Sequence, residues 1–256
     1  MQIDQSNSLS IYIFRYSDID SQLLAKSADN LSSAEQERCA KLNEPRARQY
    51  IYERSCLRKL LAERLQCEPN QINIKTTDKG KPYLSSISNN GALNRSEESG
   101  IEFNLSHCDK IFAIAISERA AVGIDIETSK RSNSIKSIAK HCFSDEEKNL
   151  LDNVSMQSEN QYKRRFIQLW TIKEAIGKLL GRGINKTFLQ NTLSIQKGLI
   201  TANSKWLEQK VCYASFELAP YYLSIAVQGD TFPEISIHDS VGDWRQALNI
   251  NSGYEF

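Results

Sequence analysis

Short segments in which apolar and polar residues alternate predict β-strands along much of the chain, because successive side chains of a strand point to opposite faces of its sheet. Segments with this pattern, or with a short run of β-branched and aromatic residues, are residues 9–14, 103–105, 111–116, 122–127, 211–218 and 222–227. The last two flank Pro220 and predict a terminal hairpin.

Helical periodicity predicts long helices in two other regions. One covers residues 32–65 with a break near Pro45, and the other covers residues 162–180 and ends near Gly181 and Gly183. Strands and helices are grouped along the chain rather than alternating regularly. This grouping favours an α+β fold over a doubly wound parallel sheet.

Local signals predict the ends of some elements and the connections between them. Ser144, followed three residues later by Glu147, has the spacing of a capping box and predicts the start of a further helix. A loop is expected through Ile72 and Ile74. Residues 85–100 are rich in Ser, Asn, Glu and Gly, and they predict a mobile connector.

The composition narrows the class of protein. The 256 residues include 32 Lys and Arg against 31 Asp and Glu, a net charge of +1, which argues against a strongly basic nucleic-acid-binding protein. Hydrophobic residues make up 40% and charged residues 25%, as in globular proteins that bury a core without disulfides or metals. The six cysteines form no CxxC pair and the three histidines lack zinc-site spacing. We therefore expect reduced thiols and no zinc site.

Membrane and secretion signals are not expected in this sequence. The N-terminal residues are interrupted early by Asp4 and do not have the pattern of a signal peptide. The longest apolar stretch, residues 111–116, is much shorter than the roughly 20 residues that a membrane-spanning helix needs. The sequence therefore predicts a cytoplasmic protein with neither a membrane nor a nucleic acid as partner.

The predicted strand over residues 122–127 carries two carboxylates on one face. Its valine and isoleucines should face a core, whereas Gly123, Asp125 and Glu127 share the opposite face. Carboxylates at this spacing lie about 7 Å apart and repel each other unless a cation lies between them. Mg²⁺, which commonly takes one or two protein carboxylates plus phosphate oxygens, would neutralise them. On spacing alone, the alternative is a solvated strand face.

The predicted helix over residues 162–180 has a lysine within its apolar stripe. Lys173 lies among Phe, Leu and Ile positions, where lysine is rare unless it is paired. Glu174 and Lys178 lie on the flank beside Trp170, four residues apart. A surface ion pair worth a few tenths of a kcal/mol would explain Glu174 and Lys178, but it would not explain Lys173. Lys173 is expected to support a site rather than to perform chemistry.

A basic residue also interrupts the apolar stripe of the helix within residues 32–65. Arg54 at this position either extends its guanidinium to solvent or binds an anion, and guanidinium suits phosphate bidentately. A phosphate ligand would connect this arginine with the magnesium-binding carboxylates. Lys81, held by Pro82, and His107 at the end of a strand are further candidates for contacts to that phosphate.

Several motifs, in their order and spacing, resemble those of a known family. They are Gly80-Lys81-Pro82-Tyr83, Phe103-Asn104-Leu105-Ser106-His107, Val122-Gly123-Ile124-Asp125-Ile126-Glu127, Phe143-Ser144 with Glu147, and Trp170-Thr171-Ile172-Lys173-Glu174-Ala175 with Lys178. Together they resemble the 4′-phosphopantetheinyl transferases of the Sfp type, over roughly residues 30–230. The combination of GIDIE and WxxKEA is more specific than either motif alone.

The resemblance implies a fold. It implies two similar α+β halves, residues 1–118 and 119–256, related by a pseudo-twofold axis, with the active site and coenzyme A in the cleft between them. The second half would carry the metal-binding strand and the WxxKEA helix, followed after about residue 230 by a tail of unknown role. Because both halves lie in one chain, a monomer is expected.

The resemblance also implies a set of site residues. The metal ligands would be Asp125, Glu127 and Glu174, and the catalytic residues would be Glu174 as general base and Lys178. The residues implied to contact coenzyme A or to lie beside it are Arg54, Lys81, Pro82, Ser106, His107 and Lys178. The sequence departs from many relatives at Glu53, where they have a small residue, so the nucleotide pocket is expected to be lined differently.

The activity implied by the resemblance is a Mg²⁺-dependent transfer of the 4′-phosphopantetheine arm of coenzyme A to a serine of an apo acyl or peptidyl carrier protein, with release of 3′,5′-ADP. Two alternatives stay open, a coenzyme A or nucleotide-binding regulator without turnover and a Mg²⁺-dependent phosphodiesterase. The sequence does not distinguish carriers of fatty acid, polyketide or nonribosomal peptide synthesis.

Overall fold

The computed structural model describes residues 8–89, 92–95, 100–130, 135–155, 158–181, 199–200, 211–229 and 231–239. The strands are β1 (Ser8–Arg15), β2 (Ile72–Thr76), β3 (Pro82–Asn89), β4 (Ala92–Arg95), β5 (Ile101–Cys108), β6 (Ile111–Glu118), β7 (Val122–Thr128), β8 (Leu199–Ile200), β9 (Val211–Leu218), β10 (Tyr221–Gln228) and β11 (Glu234–Asp239). The α-helices are α1 (Ser21–Ala28), α2 (Ser33–Cys39), α3 (Glu44–Leu65), α4 (Ile135–Cys142), α5 (Asp145–Ser155) and α6 (Glu159–Leu179).

The described strands form three sheets. The first has the order β11-β1-β6-β5, the second β7-β10-β9-β8 and the third β2-β3-β4. Strands β1 and β11 are parallel, and the other pairs are antiparallel. The predicted α+β class is therefore confirmed. None of the described helices combines the length and the apolar character needed to cross a membrane.

The first two sheets contain the same sequence of elements. In the first sheet, β1 is followed by the long helix α3 and later by the β5–β6 hairpin, and β1 pairs with β6. In the second sheet, β7 is followed by the long helix α6 and later by the β9–β10 hairpin, and β7 pairs with β10. Each of these two units thus consists of a strand, a long helix and a hairpin, and the last strand of the hairpin pairs with the first strand of the unit.

A shared apolar cluster joins these two sheets. Alternate residues of β1 and β7, each at most 1% exposed, contribute to it: Leu9, Ile11, Ile13, Val122, Ile124 and Ile126. Helix α3 packs on the other face of the first sheet and α6 on the other face of the second. The layers therefore follow the order α3, first sheet, second sheet, α6, and the predicted core face of residues 122–127 is confirmed.

Most long elements agree with the sequence predictions, whereas several short ones do not. The helices within residues 32–65 and 162–180, the helix after Ser144 and the hairpin around Pro220 are confirmed. The prediction of a loop through Ile72 and Ile74 is wrong, because these residues form strand β2. A register shift between Asn73 and Ile74 interrupts its pairing with β3. The predicted connector over residues 85–100 includes strand residues of β3 and β4.

Four further elements of the described chain were not predicted from the sequence: α1, α4, β8 and β11. Strand β11 lies in the predicted tail and joins the first sheet beside β1. Its pairing depends on a contact with the opposite end of the chain, which local periodicity does not contain. The predicted helix end at Gly181 is consistent with the structure, in which this glycine has a φ of +60°, and Gly183 lies outside the described residues.

Candidate active site

A cleft of about 630 Å³ lies where α2 and α3 meet β5, β7 and α6. Its size is within the range of small-molecule and cofactor sites. The residues singled out from the sequence that line this cleft are Arg54, Pro82, Ser106, His107, Asp125, Glu127, Glu174 and Lys178. The two long helices and the edge strands of both sheets thus present these side chains to one common volume.

Gly123 allows α6 to lie directly on β7. A Cβ atom at this position would be 2.0 Å from the backbone oxygen of Ala175 and 2.5 Å from the backbone nitrogen of Leu179. Those atoms are main chain and cannot move aside as the end of a side chain can. The glycine therefore sets the separation between the strand that carries Asp125 and the helix that carries Lys178.

Asp125, Ser106 and Lys178 form a compact polar cluster in the cleft. The Asp125 side chain is only 8% exposed, and its Oδ1 accepts hydrogen bonds from Ser106 Oγ at 2.8 Å and from Lys178 Nζ at 2.7 Å. Lys178 Nζ also donates to Ser106 Oγ at 2.8 Å and to the Ile124 carbonyl at 3.1 Å. The alternative of a solvated strand face is therefore wrong for Asp125, which lies beneath α6.

Side chains of β5 hold the backbone of β7 beside this cluster. The Ile124 N–H donates to Asn104 Oδ1 at 3.0 Å, and the Ile126 N–H donates to Ser106 Oγ at 3.4 Å. Strands β5 and β7 belong to different sheets, so side chains supply the hydrogen bonds that a neighbouring strand would otherwise provide. Asp125 lies between the two tethered amides.

The carboxylates of the cleft fit a magnesium ion that binds together with a phosphate. Asp125 Oδ2 is buried and has no hydrogen-bond partner among the described residues, as expected of an oxygen that binds a ligand. In the described part of the chain, no three Asp, Glu, His or Cys side chains lie close enough to form a complete metal site. Mg²⁺ does not need one, since it usually takes one or two carboxylates and completes its shell with water and phosphate oxygens.

Lys173 is fully buried and paired, which explains a lysine in an apolar stripe. Its Nζ lies 2.6 Å from Glu147 Oε2 and 5.2 Å from the centre of the Phe143 ring. The Glu147 carboxylate also accepts the Ser144 N–H at 2.9 Å, so the predicted capping box is confirmed. Burial lowers the pKa of Lys173, and Glu147 opposes that effect. The ion pair attaches α5 to α6 behind the cleft.

Three arginines of α3 are held by carboxylates. Arg54 Nε lies 2.5 Å from Glu35 Oε1, and Arg58, which is 1% exposed, lies 2.6 Å from Glu35 Oε2. Arg46 forms two hydrogen bonds to Glu53, at 2.8 and 3.2 Å. One of the two sequence hypotheses was that Arg54 extends its guanidinium to solvent. The structure contradicts it, because Arg54 lines the cleft and forms an ion pair with Glu35.

The Arg46–Glu53 pair was not among the candidate residues, although Glu53 had been noted as a departure from the relatives. Glu53 lines the cleft, and the Tyr16 hydroxyl also donates to its carboxylate. His107 Nδ1 lies 3.8 Å from Glu53 Oε1. Burial lowers the pKa of His107, and Arg46 and Lys178 act in the same direction against the opposing effect of Glu53 and Asp125.

Lys81 points to a smaller cleft of about 230 Å³ that shares Gly80, Pro82 and Lys178 with the main one. Its Nζ donates to the Leu179 carbonyl at the C-terminal end of α6, at 2.9 Å, and lies 3.9 Å from Glu102 Oε2. Lys81 is thus not among the residues that line the main cleft. Burial lowers its pKa, an effect that Glu102 partly offsets.

Two family models match this chain. Residues 121–226 match the 4′-phosphopantetheinyl transferase superfamily, and residues 19–119 match the N-terminal family of 4′-phosphopantetheinyl transferases. The chain therefore belongs to the 4′-phosphopantetheinyl transferases, and the resemblance seen in the sequence motifs is confirmed.

Individual relatives are transferases by name. The 4′-phosphopantetheinyl transferase HetI of Nostoc sp. is 33% identical over 160 residues, which are 62% of this chain and 63% of HetI. The 4′-phosphopantetheinyl transferase psf-1 of Bacillus pumilus is 32% identical over 139 residues, 54% and 52% of the two chains. The human L-aminoadipate-semialdehyde dehydrogenase-phosphopantetheinyl transferase is 32% identical over 136 residues, 51% and 41%. The matched part thus spans less than two thirds of each relative.

Proposed function

We propose that this protein transfers the 4′-phosphopantetheine arm of coenzyme A to a serine of an apo acyl or peptidyl carrier protein and releases 3′,5′-ADP. One observation carries the proposal: Asp125, which has a buried oxygen with no partner among the described residues, lies in one cleft with Glu127, Glu174 and Lys178. This is the combination of acid, base and cation that phosphoryl transfer needs, since such enzymes act mainly by positioning and charge stabilisation.

Asp125, Glu127 and Glu174 are the proposed ligands of Mg²⁺, one or two of them bound directly and the rest through water, because no three such side chains of the described residues lie close enough to form a complete site. When bound, the ion would neutralise charge on the diphosphate of coenzyme A and orient it. Asp125 is the best supported of the three ligands, because its Oδ2 is buried without a partner in the described residues. Lys178 contacts the other oxygen of the same carboxylate, so one side chain would connect the metal with the catalytic lysine.

In the proposed reaction, the carrier serine oxygen forms a bond to the β-phosphorus, and the bond from that phosphorus to the oxygen bridging to 3′,5′-ADP breaks. Glu174 would accept the proton of the serine hydroxyl, directly or through one water. Lys178 would stabilise the leaving phosphate or give it a proton. The Lys178 ammonium is held by Ser106 and Asp125, so it is already oriented within the cleft.

Coenzyme A would extend from this cluster along the basic side of the cleft. Arg54, Ser106, His107 and Pro82 line it, and Lys81 lies at the adjoining smaller cleft. The single Ser106 hydroxyl proton is directed to Asp125, so any contact of Ser106 with a phosphate would need this bond to change. Arg54 would bind phosphate while it stays attached to Glu35.

The repeated topology supports two similar halves, residues 1–118 and 119–256, related by a pseudo-twofold axis with the active site between them. The proposal includes a monomer, because elements of both repeats already line the cleft within one chain. A cytoplasmic location also belongs to the proposal. The carrier could serve fatty acid, polyketide or nonribosomal peptide synthesis.

Mass spectrometry of an apo carrier protein incubated with this protein, coenzyme A and Mg²⁺ tests the proposal. The expected result is a carrier heavier by one phosphopantetheine group, together with free 3′,5′-ADP. Coenzyme A binding without any change of the carrier would instead indicate a regulator without turnover. Cleavage of coenzyme A with an unmodified carrier would indicate a phosphodiesterase.

A further inference from the structure

Asn104 is a buried polar residue that lies near the cluster but outside the main cleft. It is 4% exposed, and its Oδ1 accepts the N–H of Ile124 at 3.0 Å. The residues that line the main cleft include its neighbours Leu105 and Ser106 but not Asn104, which lines the adjoining smaller cleft with Lys81. We propose that Asn104 is a positioning residue, which holds strand β7 so that Asp125 faces the metal and phosphate site.

The bond from Asn104 replaces a missing strand partner. The backbone of β7 pairs on one side with β10, where Ile124 is opposite Ile225. On its other side lies β5, which belongs to the first sheet and forms a ladder with β6 instead. The Ile124 amide on that side is buried, and a buried N–H without an acceptor is strongly unfavourable. Asn104 supplies the acceptor.

The position of this bond links it to Asp125 rather than to general stability. Asp125 is the next residue after Ile124, and the following amide, that of Ile126, is held by Ser106. The two bonds hold the backbone amides of Ile124 and Ile126, the residues on either side of Asp125, whose Oδ2 has no partner in the described part of the chain. Outer hydrogen bonds of this kind orient metal ligands and affect metal affinity. The inference rests on the proposed function, because it assigns Asp125 to the metal.

Binding of Mn²⁺ in the presence of coenzyme A but without a carrier protein, measured by electron paramagnetic resonance on the full chain, tests this role independently of turnover. Asn104→Ala should weaken Mn²⁺ binding about tenfold. It should lower the kcat of transfer by a similar factor, while the KM for coenzyme A changes by less than about threefold, because the proposed phosphate contacts Arg54 and His107 are left in place. Asn104→Asp keeps an acceptor oxygen for Ile124 and adds a negative charge, so it should bind Mn²⁺ at least as tightly as the parent.

Ser55→Ala is the matched control. Ser55 is 1% exposed, its hydroxyl accepts a hydrogen bond from Asn30 Nδ2 at 2.8 Å, and it does not line the cleft. This variant should lose a similar amount of thermal stability as Asn104→Ala and keep the parent Mn²⁺ affinity.

The inference is overturned if Asn104→Ala binds Mn²⁺ like the parent, if Asn104→Asp loses affinity, or if Ser55→Ala loses as much affinity as Asn104→Ala. It is also overturned if the parent does not bind Mn²⁺, or if Asp125→Ala binds Mn²⁺ as tightly as the parent. A parent protein that binds Mn²⁺ through Asp125 but leaves the carrier unmodified would contradict the proposed function alone, and the role of Asn104 would still be read from Mn²⁺ affinity.

Discussion

The two strand–helix–hairpin units use one topology but fill the space between strand and helix differently. In the first unit, aromatic rings separate the sheet from α3: Phe14 stacks on Phe112 at 4.9 Å between ring centres, and Tyr52 of α3 meets Phe112 edge-on at 5.3 Å. In the second unit, Gly123 brings α6 onto β7 at main-chain contact. The first arrangement places aromatic rings between helix and sheet, whereas at Gly123 the second leaves no room even for a methyl group and places Asp125 against the helix.

The two units also differ in where their charged side chains find partners. Three arginines of α3, Arg46, Arg54 and Arg58, are paired with the carboxylates of Glu35 and Glu53 in their own half. Lys178 of α6 instead reaches across to Ser106 of the first sheet and to Asp125 of the second. The first unit therefore supplies a basic wall of fixed ion pairs, and the second supplies the groups proposed for chemistry. The comparison indicates that close packing of α6, rather than the shared topology, creates the reactive cluster.

The strongest test of this difference is removal of the proposed metal and base carboxylates. Asp125→Ala and Glu174→Ala should each lower kcat/KM for carrier modification by a hundredfold to a thousandfold, a loss of about 3–4 kcal/mol of transition-state stabilisation. Cooperative thermal unfolding should persist. Glu44→Ala, at an exposed position of α3, is the control and should keep the parent rate. Carrier modification by Asp125→Ala at the parent rate would show that this carboxylate holds no metal in the reaction.

The second test concerns the close packing itself. Gly123→Ala should lower the free energy of unfolding by about 3 kcal/mol, because the new methyl group meets main-chain atoms of α6. The control is Gly80→Ala, which meets no atom within 4 Å but must adopt a φ of +87°, and should cost about 1 kcal/mol. Chemical denaturation gives both values. Equal losses in the two variants would contradict a special role for the helix contact.

The third test addresses the ion pairs of the first unit. Glu35→Ala should lower the free energy of unfolding by about 2 kcal/mol, since it removes the carboxylate that Arg58 and Arg54 share. Burial tends to raise the pKa of Glu35, but both arginines outweigh it and hold this pKa below the ordinary value of 4.5.

The stabilisation from Glu35 should therefore be complete above about pH 4.5 and be lost as the pH falls through the lowered pKa. Denaturation of the parent and of Glu35→Ala at several pH values measures this difference. A constant difference in stability across the acid range would contradict the assignment.

The smallest expected effect is at His107, where the two units meet. Burial, Arg46 and Lys178 lower its pKa below 6.5, so we expect a neutral imidazole at pH 7. Because the folded state binds this proton less readily, stability should fall slightly as the pH drops from 6.5 to the lowered value. NMR titration of the ring protons measures the pKa directly. Glu53→Gln should lower the pKa further, since Glu53 opposes the shift, and an increase would contradict the arrangement.

The sequence contained enough information to predict the second unit better than the first. Alternation in residues 122–127 and the stripe of α6 predicted the core face, and the misplaced Lys173 predicted a buried partner, which is Glu147. The contact of Asn104 with Ile124 was not predicted, because it depends on which distant elements become neighbours. The same is true of the bond from Tyr16 to Glu53. The Arg46–Glu53 pair lies within one helix, and its spacing of seven residues was a local signal that the sequence analysis did not use.

Strand β11 has a consequence for the order of events during synthesis. Ser8 pairs with Glu234, so one edge of β1 is covered only after β11, the last described strand, has been made. A nascent chain must therefore leave the ribosome with β1 open on that side, and open strand edges favour association with other chains. Until residues 234–239 are made, this sheet therefore presents an uncovered edge to other chains.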